Sequence, residues 1–377
     1  MINKEAFRSA KNRHIAEWTE VFTSLLWKYA QRKCPVSPTI PSEWRKALII
    51  GDNHIGDLLY RSGSLEHLKR GLPECDFYYL ASPGSAEVLA HSPWLKDVLP
   101  FCQSDARLDL LKTPAFEVLK GMSFDAAICS NPVHYPQDLK LALELGIPSR
   151  AGYIYKGFSG WVTHPIRIKY PQPFPTYFRD FVAQLTRQKP TWSNRPVVQT
   201  TEADMVEADD LWQRLRLDSG KPVIACFMTS RQPSGVWPTD SFARALQLLA
   251  SRKNVSIVLC GAKNDEEVLT RINRDYNLNA SINAGELGLR ALVCFLKRTA
   301  VIVCPDSGSR HLGNAAGVPV VFIRNLAVKK IETGAYCDTE YDMAPDVECV
   351  PSEDQDRLLR QTTPEMVAAK VGELLRK

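Results

Sequence analysis

The loop Gly51-Asp52-Asn53-His54-Ile55-Gly56-Asp57 follows an apolar run, Ala47 to Ile50, and opens a segment of helical character. A carboxylate just past the end of a buried strand can act as a general base, taking the proton of an attacking hydroxyl. Gly56 lets the backbone turn tightly and approach a ligand. The competing reading makes Asp57 a helix N-cap, a position that favours Asp. Spacing alone leaves both open.

A second segment, Cys304 to Gly317, follows another apolar run and leads into a small-residue helix. Ser307, Gly308 and Ser309 would present backbone N–H groups at a helix N-terminus, where phosphates bind readily. Arg310 and His311 could add charge or hydrogen bonds to a diphosphate. Capping by Asp306 or Ser307, with small residues packed on the sheet, is the bland alternative. Thr229, Ser230 and Arg231, ahead of Trp237-Pro238, are a third set able to contact phosphates. Asp265 or Glu266, past the next apolar run, could reach a ribose hydroxyl.

Several chemistries lack their residues. The first loop is neither G-x-G-x-x-G nor a Walker sequence, so dinucleotide and P-loop readings fail. No D-x-D cluster sits at a strand end, and no His/Asp/Glu set has metal-ligand spacing. A G-x-S-x-G elbow is missing, which removes the hydrolase triad. No metal and no other cofactor is therefore expected.

The elements that must hold these residues follow an α/β rhythm. Residues 47–50, 77–80, 98–101 and 125–129 read as strands, the first apolar throughout, as parallel strands covered on both faces are. Helices are expected over 57–70, opening over 83–91 and over 139–145. The pattern restarts with strands at 223–227, 256–260, 301–304 and 318–323 and helices at 239–251, from 265 and over 364–376. Two doubly wound halves suggest a cleft between them, with ligands beyond the carboxyl ends of the strands. Prolines and aromatics crowd residues 165–196, where the connection is placed, with a helix over 177–187. The expected domains are a helical extension over 1–40, a Rossmann-like domain over 41–180, another over 190–350, and a helical tail over 351–377.

Within the extension Ile15, Trp18, Phe22, Leu25 and Tyr29 recur at helical spacing among Lys4, Arg8, Lys11, Arg13, Lys28, Arg32 and Lys33. Such a stripe packs on the domain behind it or lies at an anionic membrane surface.

The bulk numbers fit a soluble protein of two or three domains: 377 residues, 45% hydrophobic and 24% charged. A net charge of +5 is too small to argue for nucleic acid and suits an anionic sugar, phosphate or membrane surface. The ten cysteines include no C-x-x-C pair, and Cys129, Cys226, Cys260 and Cys304 sit in apolar runs, as reduced core thiols do. The first thirty residues lack a signal-peptide h-region, and no apolar run approaches the roughly 20 residues of a membrane span. A cytoplasmic location, at most peripheral at the inner membrane, is expected.

Three motifs together resemble family-nine glycosyltransferases, the ADP-heptose:lipopolysaccharide heptosyltransferases. They are Ile55-Gly56-Asp57-Leu58-Leu59, the W-P-x-x-x-F-A of Trp237 to Ala243, and the D-S-G-x-x-H-L of Asp306 to Leu312 continuing to Val320. The resemblance spans roughly residues 46–325. It implies a GT-B fold: two Rossmann-like domains facing across a cleft, here with an extra N-terminal helix. The acceptor would bind the first domain and the nucleotide sugar, ADP-heptose foremost, the second. Asp57 would be the general base. Thr229, Ser230, Asp306, Ser307, Gly308 and His311 would contact the donor, with Asp265 or Glu266 near the ribose. The family carries a Lys or Arg just before Trp-Pro, whereas this chain has Ser234, Gly235 and Val236. Arg231 and Arg310 are the candidates to replace that charge.

The implied reaction is an inverting, metal-independent transfer to an anionic glycan or lipid-linked acceptor such as lipopolysaccharide core. Gly56, Arg61 and Arg150, the arginines in loops of the first domain, are candidate acceptor contacts. A nucleotide-sugar epimerase or a transferase of another nucleotide sugar would share the architecture. A non-catalytic sugar-nucleotide or glycan-binding protein is the rival from another class.

Overall fold

Apolar runs become the central strands of two parallel sheets. The computed structural model describes residues 2, 10–51, 54–102, 107–133, 135–217, 220–230, 235–251 and 254–376. The chain divides into two units, Met1–Asn194 and Arg195–Lys377. Each unit carries the Rossmann-like α/β pattern, the kind of domain from which the GT-B fold is built.

The first unit holds β1 (Lys46–Ile50), β2 (Asp76–Leu80), β3 (Asp97–Leu99), β4 (Ala126–Cys129), β5 (Ser149–Tyr153) and β6 (His164–Ile166). Its helices are α1 (Ala10–Val21), α2 (Thr23–Lys33), α3 (Ile55–Ser62), α4 (Leu65–Gly71), α5 (Pro83–Ala86), α6 (Pro114–Gly121), α7 (Tyr135–Glu144) and α8 (Phe174–Thr186). The sheet order is β3-β2-β1-β4-β5-β6, every pair parallel. Ala47 to Ile50 are wholly buried, as a strand covered on both faces requires.

The second unit holds β7 (Val223–Phe227), β8 (Ser256–Gly261), β9 (Ser281–Ala284), β10 (Val301–Pro305), β11 (Val320–Ile323) and β12 (Glu340–Asp342). Its helices are α9 (Glu202–Arg214), α10 (Thr239–Ala250), α11 (Glu266–Asp275), α12 (Leu289–Leu296), α13 (Gly308–Ala316), α14 (Lys330–Thr333), α15 (Ser352–Leu359) and α16 (Pro364–Leu374). The order β12-β11-β10-β7-β8-β9 repeats the topology of the first sheet. In both sheets strand order reverses beside the first strand of the unit, between β1 and β4 and between β7 and β10. Such switch points are where open parallel sheets bind ligands.

Two features fix the second switch point. Trp237 is buried, stacks edge-on against Phe242 at 4.8 Å and donates its indole N–H to the Thr362 carbonyl at 3.0 Å. This pins the start of α10, as the Trp-Pro pair suggested. A Cβ on Gly313 would lie 2.7 Å from Val320 and 2.8 Å from Ile302, so α13 rests directly on β10 and β11.

Some elements differ from expectation. Strands β5, β6, β9 and β12 lack an apolar run and went unread. β5 is Ser-Arg-Ala-Gly-Tyr yet buried along its whole length. β6 carries Pro165, which an edge strand tolerates because one side needs no N–H donor. The helix expected over 57–70 is two, α3 and α4, and the one expected over 177–187 starts at Phe174.

The N-terminal extension is also two helices, broken at Phe22, and the face that packs is not the large apolar stripe. Ala16 and Ala30 are buried, whereas Ile15, Trp18, Phe22 and Leu25 are exposed; Tyr29, the last residue of the stripe, is half-buried and turns to Glu144. The reason is the surface beneath. A Cβ on Gly157 would meet the Ala16 backbone at 2.9 Å, and one on Gly160 the Thr23 carbonyl at 2.5 Å. The two glycines let the backbones approach this closely, which brings the Ala16 face and not the Trp18 face onto the unit.

Candidate functional site

β10, β7 and β8 are neighbours and parallel, so their carboxyl ends lie along one edge of the second sheet. The residues expected to bind a donor follow those ends. The Thr229 hydroxyl donates to Asp265 Oδ2 at 2.9 Å, and the same oxygen accepts the Ala262 N–H at 2.8 Å. Asp265 thus ties the loop after β8 to the loop after β7. Glu266 instead turns to solvent and pairs with Lys263 at 2.5 Å. Ser230 is half-buried beside Thr229. Arg231 lies outside the described residues, as do Asp52 and Asn53 of the first loop.

After β10, Ser307 is the N-cap of α13, with its hydroxyl 2.7 Å from that of Ser309. The N–H groups of Gly308 and Ser309 open this helix, and first-turn donors have no partner inside a helix. The charged residues behind them have a different role from the one expected. Arg310 is buried and uses all five of its N–H donors. Nε bonds Glu340 Oε1 at 2.5 Å and Nη2 bonds Glu340 Oε2 at 3.2 Å, a two-pronged pair. Nη1 reaches Asp306 at 2.8 Å and the Thr333 carbonyl at 2.7 Å, and Nη2 also reaches the Gly334 carbonyl at 2.7 Å. A guanidinium has no sixth donor. Arg310 therefore cannot neutralise a donor diphosphate, which corrects the expectation that it might replace the missing basic residue.

Glu340 anchors this network. Besides Arg310 it accepts Asn314 Nδ2 at 2.7 Å and the N–H groups of Tyr336 at 2.7 Å and Cys337 at 3.1 Å. Burial opposes its charge, but Arg310 outweighs that and holds the Glu340 carboxyl below its usual value. Asp306, with one bond to the shared guanidinium, is pushed up by burial. Sequence reasoning missed Glu340 and Tyr336, which stand on and beside an edge strand whose three residues carry no apolar signal.

His311 is half-buried, with Nδ1 2.5 Å from the Tyr336 hydroxyl. Burial, then the Arg310 cation, push its pKa down to about 3. The imidazole is neutral at any working pH, so it offers a hydrogen bond and not the charge first considered for it.

In the first unit Asp57 is half-buried in the opening turn of α3. His54 is the N-cap residue, so Asp57 stands three places inside and is not the cap. The Tyr60 hydroxyl donates to Asp57 Oδ1 at 2.6 Å. Gly56 precedes it on the same turn.

The two candidate acceptor arginines are placed otherwise than expected. Arg61 is on α3, not in a loop, and has no exposed surface. It bonds the Tyr79 hydroxyl at 3.3 Å and lies under the loop after β1, where a Cβ on Gly51 would fall 2.8 Å from its Nη1. Arg150 is on β5, at the amino end, away from the carboxyl edge where ligands bind. Its guanidinium is spent on the carbonyls of Trp161 at 2.7 Å, Ile147 at 2.7 Å and Pro148 at 2.9 Å. Neither side chain is available to an acceptor.

Cys129, Cys226, Cys260 and Cys304 are buried free thiols. Among the described residues no group of three His, Cys, Asp or Glu is placed to hold a metal, and no helix is long and apolar enough to cross a membrane.

The profile of glycosyltransferase family 9 (heptosyltransferase) matches residues 118–352. The chain belongs to glycosyltransferase family 9. Membership makes it an enzyme of the glycosyl-transfer class. The family 9 match takes in the Thr229, Asp265 and Asp306–His311 segments and begins after the Asp57 loop. The lipopolysaccharide core heptosyltransferase OpsX of Haemophilus influenzae is 19% identical over 275 residues, 71% of this chain and 75% of its own. A family 9 structure from Veillonella parvula superposes with a TM-score of 0.77 at 18% identity, covering 90% of this chain and 99% of that one. The E. coli ADP-heptose LPS heptosyltransferase II superposes at 0.67 with 20% identity, covering 88% and 98%. At these identities the likenesses show the fold, over 90% and 88% of this chain.

Proposed function

We propose that this enzyme transfers a heptose from ADP-heptose to an anionic, lipid-linked glycan of the lipopolysaccharide-core kind, with inversion and without a metal. The observation that carries the reading is the convergence of Thr229, Asp265 and the opening turn of α13 at the switch point of the second sheet. The family relatives, one of them named for ADP-heptose, support the choice of donor.

In the proposed single displacement the acceptor oxygen bonds the anomeric carbon as the bond from that carbon to the diphosphate oxygen breaks. Asp57 takes the acceptor proton. The departing ADP carries the bonding electrons and is stabilised by the α13 N–H groups, Ser307 and the neutral His311. Asp306 and Arg310 brace that turn from behind. With Arg310 committed, Arg231 is the remaining candidate to balance diphosphate charge. The acceptor places the enzyme at the cytoplasmic face of the inner membrane, in peripheral contact.

The test is calorimetry of the purified protein with ADP, UDP, GDP and CDP, chelator present, followed by transfer from ADP-heptose to heptose-free core lipid. ADP preference, with transfer that Asp57→Ala lowers by about 10²–10⁴-fold, is expected. Preference for another nucleotide overturns the donor, and full activity in Asp57→Ala overturns the base.

A further inference from the structure

The inner face of α1 and α2 is fully engaged. The Thr19 hydroxyl accepts the Phe158 N–H at 3.1 Å, and Glu20 accepts the Ser159 N–H at 3.1 Å. Tyr29 and Lys33 bond Glu144 at 3.1 and 2.7 Å, and the Cys34 thiol donates to the Gly146 carbonyl at 2.9 Å. These contacts hold the helices on the first unit through Tyr29 and polar groups, without Ile15, Trp18, Phe22 or Leu25.

That stripe is Ile15, Trp18, Phe22 and Leu25, which are 45%, 63%, 41% and 57% exposed, with Val21 beside it. Trp18 and Phe22 stack at 5.5 Å. Lys11 precedes Ile15 by four residues, and Lys28 and Arg32 follow Leu25 by three and seven, so exposed basic side chains continue the line at both ends. The acidic groups are taken elsewhere, Glu17 by Arg13 and His14 and Glu20 by the Ser159 backbone.

We infer that this outward face docks on an anionic lipid bilayer, with Trp18, Phe22 and Leu25 entering the headgroup boundary and Lys11, Lys28 and Arg32 meeting lipid phosphates. Aromatic side chains suit that boundary and basic ones its negative potential. A second copy of the chain fits less well, because two such stripes laid antiparallel set Lys11 against Lys28 and Arg32, and like charges across an interface repel. The inference rests on the proposed function only for the reason to be at a membrane; the surface stands on its own observations.

The experiment is co-sedimentation of the full chain with vesicles of phosphatidylethanolamine and phosphatidylglycerol, and with phosphatidylcholine alone, at low and high salt. Binding to the anionic vesicles that weakens with salt is expected. Trp18→Ser with Phe22→Ser should cut it about tenfold or more. Lys11→Glu, Lys28→Glu and Arg32→Glu together should cut it about a hundredfold at low salt. All these residues are exposed, and circular dichroism checks that both variants fold. Wild-type protein that ignores the vesicles, or a Trp18/Phe22 variant that binds as wild type, overturns the inference. So does a concentration-dependent dimer, seen by sedimentation velocity, that the apolar variant abolishes. ADP calorimetry on the same samples separates the two readings: retained vesicle binding without ADP binding defeats the ADP-heptose proposal alone.

Discussion

His311 Nδ1 and the Tyr336 hydroxyl lie 2.5 Å apart, twenty-five residues distant in sequence. Burial raises the Tyr336 pKa well above its usual value, so the phenol keeps its proton and can donate it to Nδ1. The imidazole N–H then sits on Nε2. Because the His311 pKa is lowered to about 3, ADP affinity should not rise as pH falls through the ordinary histidine range near 6.5. Tyr336→Phe should weaken ADP binding about tenfold by releasing the tautomer. Calorimetry from pH 5 to 8 checks both, and affinity that climbs at low pH would show a charged histidine.

The Tyr60 hydroxyl donates to Asp57 Oδ1 at 2.6 Å and so orients that carboxylate in the opening turn of α3. Tyr60→Phe should lower kcat/KM for transfer about tenfold by losing this orientation, while ADP affinity holds. Transfer at the wild-type rate in Tyr60→Phe would mean that the bond does not position the base.

Glu340 tests the brace behind the donor turn. Glu340→Ala leaves Arg310 with Asp306 as its one carboxylate partner in a buried site. Breaking a buried pair from one side typically costs about 3–5 kcal/mol. Urea unfolding should show the second unit losing roughly that much. A loss under about 1 kcal/mol would mean that water or relaxation replaces the pair.

Glu144 clamps α2 to α7. Burial works against its charge, but bonds from Lys140, Lys33 and Tyr29 outweigh this and bring its pKa down to about 2. A depressed carboxylate contributes stability above its ordinary value near 4.5 and loses it as pH falls toward 2. Protection factors of the α2 amides, taken relative to the intrinsic exchange rate at each pH, should fall through that window, and Glu144→Gln should show the lowered protection already at pH 7. Equal protection in the variant would show that the contacts at Phe158, Ser159 and Gly146 and the close approach at Gly157 and Gly160 seat the helices without the clamp.

Ala47 to Ile50 and Val301 to Cys304 revealed buried parallel strands, because a strand covered on both faces must be apolar at every position. The placement of Asp57 and of Ser307 to His311 at loop–helix junctions was legible for a related reason: past the end of a buried parallel strand, position in the chain is position in space. Segments β5 and β12 were not legible, since their burial comes from neighbouring strands and not from their own side chains. Partnership was the other thing hidden. Nothing local distinguishes Arg310, bound on all five donors, from an arginine free to meet a phosphate, because Glu340 and the carbonyls of Thr333 and Gly334 arrive from distant residues. Arg61 and Arg150 read as ligand contacts for the same reason and prove to be buried tethers. The N-terminal stripe shows the converse: periodicity foretold one apolar face, but only the close backbones at Gly157 and Gly160 decided that the small residues turn inward and Trp18 turns out.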